Sequence, residues 1–431
     1  MKKAFLVAGM ILAISFMGCS KSQKTETVAE QPENTTEVVV AEAPSGSCQT
    51  TFDIDMNETA WSDANNDFGL AMLREIPAEN STVFSPYSIE RAMGMVLDGG
   101  CGTTAAELRT ALKLPDGNGH GAAGLSVEKK MLAAQNESQI IDIDNHLWVE
   151  QKYALLDSYK DRMKADYSAE PTSLDFVNET DKSRITINQY ISGKTHDKIH
   201  DILPENSLTP LTRLVLTNAV YFKAPWAVSF SPEATKKADF ITSSGTIQVD
   251  MMHHSKEHRV YLDDSMYVID LDFQDSPFSL MVILPKVGED GDVAAALSRV
   301  ETGLTAESLR EMRSKMLNGP VSLDMPKFKL EGGSSIRDIF ARFGVRQAFA
   351  HADFSGMSGV PDLYLSDVFH KAFIEVDEKG AEAAAATAAV MMKRSALPPK
   401  PLEIKVDHPF LFSIIERETG TALFFGRITR L

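Results

Sequence analysis

Six β-branched, aromatic runs bounded by turn residues occupy the second half of the chain: RLVLTNAVYF (213–222), FSLMVILP (278–285), VSLDMPKF (321–328), LYLSDVFHKAFIEV (363–376), PFLFSIIE (409–416) and ALFFGRI (422–428). Runs of this kind read as strands. The helical patterns come earlier. Trp61, Ala64, Phe68, Met72 and Ile76 recur at helical spacing, and Pro77 follows as a stop. Ser85 is a good N-cap for a helix with Pro86 in its first position and Gly99-Gly100 at its end. Thr104-Ala-Ala-Glu107 has the form of a capping box opening a further helix through Leu112. Helices early and strands late, without regular βαβ alternation, predict an α+β fold with mainly antiparallel sheets. No internal repeat is visible.

The chain of 431 residues is 43% hydrophobic and 24% charged, which is globular composition with ample material for a large core. Its net charge of -17 argues against nucleic-acid backbones and anionic membrane faces as partners. Three cysteines cannot make a disulfide framework, so packing must hold the core. Whether Cys48 pairs with Cys101 after export is a question of distance, which the sequence leaves open.

The first segment reads as an address. Lys2 and Lys3 form a positive start, 4–17 is apolar and short, and Gly18-Cys19-Ser20 ends it. This resembles a bacterial lipoprotein signal in which residues 1–18 are removed and Cys19 is lipidated, although Phe16 and Met17 depart from the usual Leu and small residue. The alternative is plain secretion, with Cys19 left in the discarded peptide. Both readings export the chain, the first to a lipid anchorage in a bacterial outer membrane or at the cell surface, the second to the extracellular medium. From residue 20 to about 51, Thr, Glu, Gln, Ser, Ala and Pro dominate and no aromatic occurs, so the stretch reads as a tether. The expected organisation is a signal over 1–18, a lipidated cysteine and tether over 19–56, and one folded domain over 57–431.

Motifs for catalysis fail on context. His254-Ser-Lys-Glu257-His258 fits a zinc-protease pattern, but its flanks read as strand, turn and strand instead of one helix, so a solvated hairpin is expected. Gly193-Lys194-Thr195 lacks the earlier glycine of a phosphate loop, since Asn188 stands there. In Gly356-Met-Ser358-Gly359 the second glycine comes one place early for a nucleophile elbow. No enzyme active site, metal site or cofactor is expected.

One segment stands out: Glu378 to Pro401, EKGAEAAAATAAVMMKRSALPPKP. Locally, Ala383 to Ala389 is a strong helix former, and a surface helix would satisfy it. The stretch nonetheless runs directly between strand-like segments, and its small side chains also suit an exposed loop that converts to a strand.

From about Glu58 to Leu431 the sequence resembles the serpin family. DEKGAEAAAAT (377–387) is similar to the hinge of an inhibitory serpin's reactive-centre loop. FSPYSI (84–89) and LSDVFHKAFIEV (365–376) resemble its shutter, with Ser85, Ser88 and His370 at the matching positions. NAVYFKAPW (218–226), from Asn218 to Trp226, resembles its breach, and DFSGMS (353–358) and HPFLFSI (408–414) resemble the stretches before the shutter strand and after the loop.

The resemblance implies the serpin fold, with helices packed on mainly antiparallel and mixed sheets and an exposed reactive-centre loop, in a monomer that inhibits proteases and is not an enzyme. A protease cuts the loop and forms its acyl-enzyme. The freed hinge then enters the central sheet as a strand and drags the enzyme before deacylation. The hinge comprises Glu378, Gly380, Ala381, Ala383, Ala385 and Thr387. If Ala381 points inward on insertion, so do Ala383, Ala385, Thr387 and Ala389, while Glu382 points outward. Every inward residue is small and uncharged, which favours an inhibitor over a non-inhibitory serpin acting as a binding protein. In inhibitory serpins the residue before the cut lies sixteen positions after the hinge glutamate, which implies an Arg394–Ser395 reactive bond, with Lys393 and Met392 as secondary sites. The implied targets are trypsin-like serine proteases, and also cysteine proteases of basic specificity. The acidic surface argues against a polyanion cofactor.

Overall fold

The computed structural model describes residues 48, 54–133, 135, 139–381 and 400–431, all within one compact unit, Ser45–Leu431. Cys19, Glu382, Ala383, Ala385, Thr387, Ala389, Met392, Lys393, Arg394 and Ser395 lie outside the described residues.

The helices are α1 (Glu58–Glu75), α2 (Pro86–Gly99), α3 (Gly102–Ala111), α4 (His120–Leu132), α5 (Asp157–Tyr167), α6 (Thr180–Lys194), α7 (Val293–Gly303), α8 (Ala306–Lys315), α9 (Arg337–Arg342) and α10 (Ser355–Ser358). The strands are β1 (Thr82–Phe84), β2 (Ile140–Glu150), β3 (Thr172–Leu174), β4 (Leu214–Pro225), β5 (Lys236–Thr242), β6 (Gly245–Leu262), β7 (Met266–Asp272), β8 (Phe278–Pro285), β9 (Leu317–Pro326), β10 (Phe328–Ser335), β11 (Asp367–Val376), β12 (Gly380–Ala381), β13 (Leu402–Lys405), β14 (Phe410–Glu416) and β15 (Ala422–Ile428). One sheet runs β1-β15-β14-β8-β7-β6-β9-β13, with β5 on β6; the other runs β10-β11-β12-β4-β2-β3, with β11 also paired to β4. Most pairings are antiparallel, but β4–β11, β9–β13 and β2–β3 are parallel, so the sheets are mixed as expected.

Helix α2 is the axle. Ser85 caps it by accepting from the Ser88 N–H, Pro86 opens it, and nearly every residue from Pro86 to Gly99 is buried. It packs against β2 and β4 of one sheet and β15 of the other. Each fully buried side chain of the Ile89 or Met93 kind contributes about 1.5–3 kcal/mol by leaving water. On the opposite face of the six-stranded sheet, α6 lays Ile187 and Ile191 over Trp148, Val215, Ala219, Phe369 and Phe373. Alternation along β4 and β11 follows from this: even-numbered residues such as Leu216, Val220, Ala372 and Ile374 face the main core, and odd-numbered ones face α6.

Two local expectations are corrected. Cys101, without a side-chain bond, caps α3, so Thr104 and Glu107 form no capping box; they bind the 346–353 segment, Thr104 Oγ1 accepting from the Asp353 N–H and Glu107 from the N–H groups of Arg346 and Gln347. The histidine segment 254–258 is no hairpin either, because β6 passes straight through it. Its first part is lined by β5 and its last by β7, while β9 pairs along the middle, and that change of neighbour was invisible in the flanking residues.

Cys48 and Cys101 are joined by a disulfide, with a Cα–Cα distance of 4.8 Å. Closing a loop with a sequence separation of 53 stabilises the fold by about 4 kcal/mol through the unfolded chain.

Candidate functional site

Strands β4 and β11 are parallel neighbours only over part of their length. Direct pairing runs from Asp367↔Val215 to Ala372↔Val220. Beyond that they part, and β12 lies between them, with Ala381 opposite Val376 on one side and Ala224 on the other. Gly380 and Ala381 therefore lie within the sheet. Ala381 is buried in the main core with Val376 and Ala224. Gly380 sits at φ 155, and a Cβ there would collide with the Ala224 carbonyl oxygen, so only glycine fits this entry point.

Polar contacts close the hinge end. The Trp226 indole stacks on Phe273 at 4.7 Å, and its Nε1–H donates to the Asp377 carbonyl at 2.8 Å. The N–H groups of Trp226 and Phe230 donate to the carbonyls of Lys379 and Glu378, both at 2.9 Å. The Glu378 carboxylate accepts from Thr235 Oγ1 at 2.8 Å and pairs with Lys327 Nζ at 2.9 Å. Burial pushes this carboxyl up, but Lys327 and Thr235 outweigh it and hold it below its ordinary value.

Five residues, from three strands and from the cap and first turn of α2, meet in the middle of the slot. The backbone N–H of Ser85 donates to His370 Nε2 at 3.1 Å. A backbone N–H can only donate, so Nε2 carries no proton and Nδ1–H donates to Asn218 Oδ1. Asn218 Nδ2 donates to Ser88 Oγ and Asn145 Oδ1, and Ser88 Oγ donates to Asn145 Oδ1 at 2.9 Å. Burial holds the His370 imidazole neutral, its pKa down to about 3. At the far end, the Ser366 N–H donates to the Leu214 carbonyl at 3.0 Å and the Arg213 N–H to Ser366 Oγ at 3.2 Å.

Ser85, Ser88, Asn218 and His370 are thus brought into one network, and Trp226, Glu378, Gly380 and Ala381 into another. Sequence reading missed Asn145, Thr235 and Lys327. Asn145 carried a signal in hindsight, a lone amide within the strand-like run IIDIDNHLW; the other two carried none. The histidines of 254–258 do not belong to this site. His254 and His258 share one face of β6 with their Nε2 atoms 2.9 Å apart, and the His254 ring stacks on Phe230 at 4.0 Å. Glu257 lies on the exposed face of the strand, so the three do not converge as a zinc-protease pattern requires.

Comparison with known proteins agrees with this geometry. The family described as "Serpin (serine protease inhibitor)" matches residues 63–431. An uncharacterized serpin-like protein of Thermococcus kodakarensis is 36% identical over 368 residues, 85% of this chain and 84% of that protein. The leukocyte elastase inhibitor of Bos taurus is 36% identical over 370 residues, 84% of this chain and 96% of that protein. Among solved structures, a tumour suppressing serpin superposes with a TM-score of 0.77 at 26% identity, covering 87% of this chain and all of the other. The family match over residues 63–431, on a sheet parted at one end with Gly380 and Ala381 between its strands, makes this protein a member of the serpin family.

Proposed function

We propose that the chain is an irreversible inhibitor of trypsin-like proteases, cut at Arg394–Ser395 and acting by insertion of residues 382–390 between β4 and β11. The register of the hinge is the observation that carries this reading. Continuing β12 from Ala381 brings Val390 opposite Asp367 on β11 and opposite Val215 on β4, two residues that already face each other. The slot can therefore open sideways, with no sliding of one strand along the other. The same register gives the core-facing positions to small residues. Ala383 falls between Ile374 and Phe222, Ala385 between Ala372 and Val220, and Ala389 between Val368 and Leu216. Thr387 falls between His370 and Asn218, where its hydroxyl replaces the bond those two lose when a strand separates them. New main-chain hydrogen bonds on both sides contribute about 0.5–1.5 kcal/mol each, enough to drive the change to completion.

Arg394 follows four residues later and anchors the protease, whose carboxylate-based pocket suits a guanidinium. Export through a lipidated Cys19 at the head of a tether suits the Cys48–Cys101 disulfide, a bond of oxidising compartments.

Incubation with trypsin tests the proposal. It should give an SDS-resistant complex and a released peptide beginning at Ser395, and Arg394→Ala should lose inhibition by orders of magnitude without loss of folding. Clean cleavage with no complex would show a substrate. Cys19→Ala should abolish partition with membranes; a wild type that stays soluble with an unmodified N-terminus would refute the anchor alone.

A further inference from the structure

We propose that the cavity beside Trp226 binds a small apolar α-amino acid as its zwitterion, the ammonium group on Asp270 and the carboxylate on Arg259. The proposal stands apart from the inhibitory reading and does not depend on it.

The cavity measures about 330 Å³ and lies where the segment after β4 passes the β6–β7 pair. Trp226, Val228 and Leu271 supply its apolar lining, and Arg259, Asp270 and Arg417 its principal charges. One wall is fixed by the Ala227 N–H, which donates to the Asp272 carbonyl at 2.8 Å. A largely apolar hollow with a few convergent polar groups is the usual form of a small-ligand site.

Arg259 and Asp270 face each other across the β6–β7 ladder, and Arg259 Nη2 donates to Asp270 Oδ2. That bond uses only part of each group. Asp270 is 2% exposed, yet its Oδ1 has no hydrogen-bond partner among the described residues. Nor do Nε and Nη1 of Arg259. A buried carboxylate oxygen left bare is costly, so the fold alone does not complete the bonding here. Arg417 is already engaged: it donates to the carbonyls of Ser276 and Pro277 and pairs with Asp272 at 3.3 Å.

The unused capacity is thus one acceptor and one guanidinium edge, on either side of a single ion pair. An ammonium alone would meet Arg259 and Arg417 as like charges, and a carboxylate alone would meet Asp270 and Asp272. An α-amino acid carries both groups one carbon apart. Its ammonium satisfies Asp270 Oδ1, and its carboxylate suits the free edge of Arg259 as a bidentate pair. The ligand's side chain is left to Trp226, Leu271 and Val228, and Val228, 37% exposed, gains cover from it.

L-Leucine is the probe. Added to the full chain, it should raise the melting temperature saturably and give a one-site calorimetric isotherm. Isopentylamine, which lacks the carboxylate, and isocaproate, which lacks the ammonium, should each bind at least about ten-fold more weakly. Asp270→Asn keeps the side-chain shape but turns a donor towards the ammonium, and should weaken leucine about ten- to hundred-fold. Burial, with Asp272, outweighs the pull of Arg259, Arg313 and Arg417 and holds the Asp270 carboxyl up at about 6, so leucine affinity should fall as the pH drops through that value. His258 and Glu257 also line the cavity, and burial holds the imidazole below its ordinary range. Val228→Trp, at an exposed position, should block binding while leaving the ligand-free melting temperature unchanged, and it carries the test if Asp270→Asn does not fold. No response to leucine would mean that water alone meets Asp270 and would overturn the inference. Equal binding of leucine and isopentylamine would overturn the capture of a carboxylate by Arg259, and unchanged affinity in Val228→Trp or in folded Asp270→Asn would overturn the site.

Discussion

The hinge end and the middle of the slot between β4 and β11 are closed by opposite means. At the hinge end the closing groups are partly wet: the Lys327 side chain is 38% exposed, and its bond to Glu378 can exchange for water as it breaks. In the middle, Ser85, Ser88, Asn218 and His370 are at most 1% exposed and uncharged, so a partner lost there is not replaced by solvent. If residues 382–390 insert as proposed, entry at the hinge end is thus cheap, and the costly point comes only where Thr387 would fill the middle. That order would suit the proposed trap, in which the sheet stays shut until a cut loop supplies the whole strand.

The comparison breaks most completely if the inserting strand carries a charge. Ala383→Asp should leave the loop fully cleavable by trypsin, yet insertion would bury an unpaired carboxylate between Ile374 and Phe222 at a cost of several kcal/mol. The variant should become a substrate, and an SDS-resistant complex at wild-type stoichiometry would remove insertion as the mechanism. A smaller effect separates the two states of the middle network. Asn218→Ala strands the Nδ1–H of His370 and should cost the uncut protein about 1–3 kcal/mol in urea unfolding. Thr387→Val should leave the uncut protein unchanged and lower the melting-temperature gain on cleavage; equal effects of both variants on the uncut form would deny the exchange of partners.

Acid offers a graded version of the same test. The folded imidazole of His370 protonates only near pH 3, against an ordinary value of 6.5, so below pH 6.5 the unfolded chain binds a proton that the folded one refuses. Its contribution is complete above pH 6.5 and declines as the pH falls, by up to about 1.4 kcal/mol per pH unit. Melting temperature should fall less steeply between pH 6.5 and 5 in His370→Gln than in wild type. At the wet end, Lys327→Ala should cost under about 1 kcal/mol and shrink further in high salt. A loss as large as that of Asn218→Ala would erase the contrast between the two closures.

Legibility in the sequence followed the same physical divide. Runs buried along their whole length with turn residues at their ends, such as 278–285 and 422–428, became β8 and β15 with the same bounds. Ser85 was readable as a cap, where its side chain does local work, while its N–H does distant work by donating to His370. The miss at β6 has a cause: its apolar alternation is interrupted wherever its neighbours change, and two of its buried side chains are histidines facing one another. Lys327 and Thr235 were illegible because their roles depend on a glutamate many residues away. The pairing of Cys48 with Cys101 was illegible for the same reason, since composition carries no distance.

That disulfide has a consequence for durability. A molecule that meets proteases, as proposed here, is also exposed to cuts elsewhere, and any nick in the chain between Cys48 and Cys101 leaves two pieces still joined through sulfur. The segment from 49 to 100 is mechanically redundant as a connection between the proposed anchor and the body. With Cys19 as the proposed anchor, cleavage between Cys19 and Cys48 would set the folded body adrift, in a stretch that holds two lysines, Lys21 and Lys24, and no arginine.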